Sequence, residues 1–220
     1  MTTVAIVPAK AFDVAKQRLS PQVKPGNRRA LIESMFSDAM VALRRAKSID
    51  QVIVVTSDRT AARIAGGNGA TVIDDTGNSH SDAAEIGIAY ALELGATRAL
   101  LVPGDCPTLD PAELDALLAQ PVVAPSAIIV PDRHGEGTNA LLLTPPNAMT
   151  PAFGEGSRQR HVDLAVAQGA TPEIFEVSSL ALDIDTPQDL EELIARFAAV
   201  RGGAAHTRGM LNQLTRSEPG

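Results

Sequence analysis

Short β-branched runs alternate with longer stretches of helical spacing, and this alternation limits the fold more than any other feature of the chain. The runs cover Val4 to Val7, Val52 to Thr56, Thr71 to Ile73, Arg98 to Val102, Ala127 to Val130, Asn139 to Leu143 and Glu173 to Val177. They predict seven strands. Between the first two runs Leu31, Met35, Ala39, Ala42 and Ala46 recur at steps of three and four, the spacing of one helix face. Further helices are expected after Asp58, Asp82 and Pro111, from Ser157 to Gln168, and from Pro187 to Val200. Such alternation requires right-handed crossovers and a mostly parallel sheet, so the expected class is α/β. Pro121 to Thr150 is richer in strand and proline, and strict alternation should break there.

With 220 residues, 45% of them hydrophobic, the chain can bury one sizeable core. Residues 1–200 read as a single domain and 201–220 as a loosely ordered tail, because apolar periodicity fades and glycine rises from Arg201. A net charge of -7 argues against a nucleic-acid surface, which needs a basic face. The lone Cys106 excludes a disulfide framework, and Met1 to Pro8 lacks the pattern of an export signal or a membrane span. A cytoplasmic protein is expected.

Two acidic turns stand out. Val-Pro-Gly-Asp-Cys-Pro, residues 102–107, puts Asp105 where an apolar run stops, and Asp183-Ile184-Asp185-Thr186-Pro187 follows another extended stretch. In an open α/β sheet ligands bind at the carboxyl ends of strands. Two carboxylates from separate strand ends suit Mg²⁺ against a polyphosphate, since this ion prefers hard oxygen ligands. Thr186 is the better N-cap of the last long helix, with Pro187 at its first position and Asp189 three residues after the cap, which leaves Asp185 free. Lys10, Lys16 and Arg18 follow the first strand. Read alone, that loop either faces water or wraps a triphosphate. Gly137-Thr138-Asn139 is either a tight turn, in which Gly137 supplies an unusual φ, or an anion-binding element. Phe153-Gly154-Glu155-Gly156-Ser157 opens a helix with glycines that let backbone amides approach an anion. Arg158 and Arg160 in its first turn oppose the helix dipole unless an anion is bound. The histidines, at 80, 134, 161 and 206, are scattered and read as loop or surface residues.

Pro-Ala-Lys with Ala-Lys-x-Arg-Leu-Ser-Pro, Pro-Gly-Asp-Cys-Pro, Gly-Thr-Asn-Ala-Leu-Leu-Leu, Phe-Gly-x-Gly-Ser and Asp-Ile-Asp-Thr-Pro-x-Asp-Leu occur here in that order, from about Val4 to Leu193. Together they resemble the 2-phospho-L-lactate or phosphoenolpyruvate guanylyltransferases of coenzyme F-420 biosynthesis. The resemblance implies a Rossmann-like, GT-A-like nucleotidyltransferase fold, a three-layer αβα sandwich with a mostly parallel central sheet. It implies transfer of GMP from GTP to a small phosphorylated carboxylic acid, with one or two Mg²⁺ ions held by Asp105 and Asp185. Asp183 would stand behind them. Lys10, Lys16 and Arg18 would be catalytic, stabilising the departing pyrophosphate. Thr138, through its hydroxyl and amide, and Gly154 and Ser157 would bind the acceptor, which could be phosphoenolpyruvate, 2-phospho-L-lactate or 3-phosphoglycerate. The product would pass to the downstream deazaflavin transferase, and a homodimer stays open. Many relatives carry Leu-Asn-x-Ala where this chain reads Ser81-Asp82-Ala83-Ala84, so an Asn that reads a base or ribose would be replaced by Asp82, whose accepting carboxylate suits the N1 and N2 donors of guanine. A molybdopterin or sugar-phosphate nucleotidyltransferase is the second reading, disfavoured by the absence of a Gly-Gly-x-Ser/Gly-x-Arg-Met loop. A non-catalytic nucleotide-binding domain is the third.

Overall fold

The computed structural model describes residues 1–13, 15–20 and 23–216. Pro21 of the first-loop motif and the last four residues of the expected tail lie outside the described residues. Seven strands form one sheet: β1 Thr3–Pro8, β2 Gln51–Val55, β3 Thr71–Ile73, β4 Arg98–Leu101, β5 Ser126–Pro131, β6 Thr138–Thr144 and β7 Thr171–Ile174, in the order β3-β2-β1-β4-β6-β5-β7. β1 pairs in parallel with β2 and β4, β2 with β3, and β5 with β7, while β6 runs antiparallel to both neighbours. The reversal at β6 is the break in alternation expected between residues 121 and 150. β7 starts two residues earlier than its apolar run, because this edge strand takes its register from β5, with Ser126 opposite Thr171 and Ile129 opposite Ile174.

The central strands are buried along their length except at Asn139 of β6, so their side chains feed two cores. On one face Ala5, Val7, Leu100 and Leu142 pack against α1 Pro25–Arg45, α2 Arg59–Gly67, α4 Pro111–Leu118 and α6 Pro187–Ala199. On the other Val4, Ile6, Leu101 and Leu141 meet α3 His80–Glu93 and α5 Ser157–Ala167. The result is the three-layer αβα sandwich.

The segment expected to be loose from residue 201 is instead helical over α7 Ala205–Arg216 and packs on α1. The capping group explains this. The buried Asp38 of α1 accepts from the backbone amides of His206 at 3.1 Å and Thr207 at 2.8 Å, and from the Thr207 hydroxyl at 2.7 Å. A carboxylate from another helix thus caps α7, a partner that local sequence does not reveal.

Candidate functional site

The loops after β1 and β4 leave the carboxyl edge of the sheet, and antiparallel β6 begins at that same edge. They enclose a cleft of about 840 Å³ lined by Lys10, Arg18, Asp105, Thr138, Gly154, Ser157 and Asp185 among others. Residues from five separate stretches of sequence therefore meet in one cavity.

Asp105 sits in a turn with glycine beside it: a Cβ on Gly104 would come within 2.6 Å of the Phe36 ring, so a larger residue there requires the buried ring to shift. Asp185 precedes the α6 capping box, in which Thr186 accepts from the Asp189 amide at 3.3 Å and the Asp189 carboxylate accepts from the Thr186 amide at 2.7 Å. Asp189 also accepts from the Asp185 amide at 3.0 Å, which fixes the backbone without drawing on the Asp185 carboxylate.

Lys16 does not extend into the cleft beside Lys10 and Arg18. Its ammonium lies between Asp105 and Asp185 and pairs with both. Burial alone would lower the Lys16 pKa, but the charges of Asp105 and Asp185 more than offset it and hold the pKa well above the ordinary lysine value. Lys16 adopts the left-handed backbone, φ 56° and ψ 38°, unusual for a residue with a side chain. Asp183 is pushed up to about 6, first by burial and then by the nearby charges of Asp105 and Asp185, with Asn139 donating to it at 3.2 Å.

These carboxylates suit a hard cation. Asp105 and Asp185 already converge on one positive charge, and Asp105 Oδ1 is buried without a hydrogen-bond partner. Among the described residues no set of three His, Cys, Asp or Glu side chains forms a metal site by itself. An ion held by two carboxylates would complete its shell with water or substrate oxygens, as Mg²⁺ commonly does.

Also in the cleft lining, Ser157 Oγ accepts from the Thr138 amide at 2.9 Å, and the Ser157 amide donates to Gly154 O at 3.1 Å. The expectation that the Thr138 amide faces an anion is thus corrected, because it is spent where the start of β6 folds against α5. What the pair offers the cleft is its hydroxyls. Gly154, at φ 119°, and Gly156, the α5 N-cap at φ 67°, supply the left-handed turns that bring Ser157 there. Gly137 does not need an unusual φ; a Cβ there would approach Asp132 Oδ2 to 2.6 Å. Arg160 donates to the carbonyls of Ala152 at 2.8 Å and Glu155 at 2.6 Å, so it ties down the loop rather than an anion. Asp82 closes the α3 capping box, its Oδ2 accepting from the Asn78 and Ser79 amides at 2.9 and 3.0 Å, and it does not line the cleft, whereas Ser79, His80 and Ser81 do.

The family described as guanylyl transferase CofC like matches residues 3–217. The chain belongs to this family. The phosphoenolpyruvate guanylyltransferase of Conexibacter woesei is 52% identical to this CofC-like chain over 221 residues, covering 100% of it and 99% of the relative. The 2-phospho-L-lactate guanylyltransferase of Methanothermobacter thermautotrophicus is 30% identical, covering 97% and 92%. Among solved structures a candidate nucleotide-diphospho-sugar transferase from Desulfovibrio desulfuricans G20 superposes with a TM-score of 0.77 at 14% identity, covering 98% and 96%, which supports the fold. The chain is a nucleotidyltransferase. No described helix is long and apolar enough to cross a membrane.

Two residues read as loop or surface histidines lie in or behind the lining of this cleft. His80 lines the cleft with its ring edge-on to Phe153, centroids 5.0 Å apart. His161 is fully buried behind Thr138. Its place four residues after Ser157, on the same helix face, was the available signal.

Proposed function

We propose that this protein transfers GMP from GTP to phosphoenolpyruvate, forming enolpyruvoyl-2-diphospho-5'-guanosine and pyrophosphate for coenzyme F-420 biosynthesis in the cytoplasm, with 2-phospho-L-lactate as the second acceptor. The carrying observation is one cleft lined both by the paired carboxylates Asp105 and Asp185 and by Thr138 and Ser157, in a chain 52% identical along its whole length to a phosphoenolpyruvate guanylyltransferase.

The acceptor's phosphate is ionised at neutral pH, so its oxygen attacks the α-phosphorus without a general base. The new oxygen–phosphorus bond forms as the bond to the bridging oxygen of the β-phosphate breaks, and pyrophosphate leaves with that electron pair. Catalysis of such a step rests on positioning and charge neutralisation. Lys10 and Arg18 line the cleft and neutralise the triphosphate as charge moves onto the leaving group. Asp105 and Asp185 are the residues that would hold Mg²⁺, which when bound supplies charge stabilisation to the phosphates. Lys16 keeps the two carboxylates together and limits their repulsion. Thr138 and Ser157, with the Gly154 turn, hold the acid through hydroxyl donors. The product then passes to the deazaflavin transferase.

Pyrophosphate release with GTP, Mg²⁺ and each acid tests the reading. Turnover is expected with phosphoenolpyruvate above 2-phospho-L-lactate and 3-phosphoglycerate. No release with any of the three would overturn it.

A further inference from the structure

His161 does no chemistry in the scheme above, yet it is fully buried and bonded at both ring nitrogens. Its Nε2 lies 2.9 Å from the Ala152 backbone nitrogen and its Nδ1 2.9 Å from Thr138 Oγ1. A backbone N–H can only donate, so Nε2 carries no proton. The neutral ring then holds its one proton on Nδ1 and donates it to the Thr138 hydroxyl. Phe153 packs edge-on against the ring at 5.1 Å and helps to fix its plane. Burial, with a smaller contribution from Arg160, lowers the His161 pKa to about 4, in keeping with a neutral ring.

The direction of these bonds has a consequence in the cleft. Thr138 Oγ1 accepts from His161 and keeps its own proton to give; Ser157 Oγ accepts from the Thr138 amide and does the same. Among the described residues no protein acceptor takes either hydroxyl proton, and both residues line the cleft. We propose that His161 is a positioning residue that sets the Thr138 hydroxyl as a hydrogen-bond donor, so that the acceptor subsite selects a ligand group that offers a lone pair at that point, most strongly an ionised carboxylate or phosphate. This inference rests on the acceptor-site reading above and adds the residue that gives it polarity. An ammonium or an amide N–H placed at the same point would meet a second donor and gain nothing.

The test separates the two bonds of the ring, using the full chain in the pyrophosphate-release assay with phosphoenolpyruvate. His161→Gln places an amide oxygen where it can still accept from Ala152 but not reach Thr138. His161→Asn places an amide nitrogen near the Nδ1 position, where donation to Thr138 is restored. His161→Gln should raise the KM for the acid by about tenfold, the size expected for one hydrogen bond to a charged ligand, and leave the KM for GTP almost unchanged. His161→Asn should recover most of that loss. Thr138→Val should raise the acid KM similarly, and the Thr138→Val/His161→Gln pair no further, because both act through one hydroxyl. His161→Phe keeps a ring against Phe153 and gives the same comparison if the glutamine variant does not fold. Multiplied effects in the double variant, or equal loss of GTP and acid affinity in His161→Gln, would make His161 a packing residue and overturn the inference. A wild type inactive with every phosphorylated acid would remove the acceptor-site reading itself. An active wild type whose acid KM survives His161→Gln would overturn the positioning role alone.

Discussion

At the scale of single residues, the site is built on a charge balance that can be disturbed one atom at a time. Asp105 and Asp185 converge on Lys16. Replacing either aspartate by Asn keeps the shape and removes the charge, and turnover should fall by about two decades or more, the loss seen when one strong electrostatic stabiliser is removed. Steady-state kinetics beside a thermal melt checks that the fold survives. Lys16→Met should slow turnover and weaken the response to GTP and acid together, because it leaves the carboxylates unpaired; a change confined to GTP would assign Lys16 to the triphosphate. His161 sets a pH signature. Folded, its pKa is about 4 against an ordinary 6.5, so between these values the unfolded chain takes up a proton that the folded chain does not. Stability from this group is complete above pH 6.5 and declines as the pH falls towards 4, by on the order of 3 kcal/mol. Denaturant midpoints measured across that range should fall more steeply for wild type than for His161→Gln.

At the scale of elements, carboxylate caps carry information over distances the local sequence does not span. Asp58 caps α2 by accepting from Thr60 and Ala61, and its other oxygen accepts from the Phe12 amide at 2.9 Å, which anchors the loop bearing Lys16 and Arg18. Burial would raise its pKa, but the amides of Phe12, Ala61 and Thr60 outweigh this and hold the carboxyl below its ordinary value. Asp58→Ala should therefore cost about 1 to 2 kcal/mol of stability and also raise the KM for GTP, since a cap and a loop anchor are lost together. Asp38 is the contrasting case. It caps α7 from α1, outside the cleft lined by Asp105 and Asp185, so Asp38→Ala should cost about 2 kcal/mol in denaturant melts while kcat/KM stays within about twofold of wild type. A large kinetic defect there would mean that α7 reaches the site.

At the scale of the whole molecule, a ligand that binds the cleft ties together segments from the first, middle and last parts of the chain, and its binding energy becomes folding stability. GTP with Mg²⁺ at about a hundred times its dissociation constant should stabilise the protein by about 2.7 kcal/mol. The rise in Tm should shrink when a chelator removes the divalent ion, and shrink equally without chelator in Asp105→Asn. The sequence alone determined the seven strands, the crossover helices, the α6 cap and the two acidic turns, because periodicity and capping are short-range and each is written within a few residues. It also marked Thr138, Gly154 and Ser157, whose motifs are local. Only the tertiary structure decided what those groups face. The α7 helix has its cap on α1, 168 residues away along the chain for the Asp38–His206 bond. Asp82 closes its own capping box, and Lys16 turned from Lys10 and Arg18 towards two carboxylates, 89 and 169 residues distant. His161 came to rest behind Thr138. In each case a polar group found its partner through the packing of the sheet edge, and hydrogen-bond direction and charge pairing at that edge depend on three-dimensional contacts that no sequence period encodes.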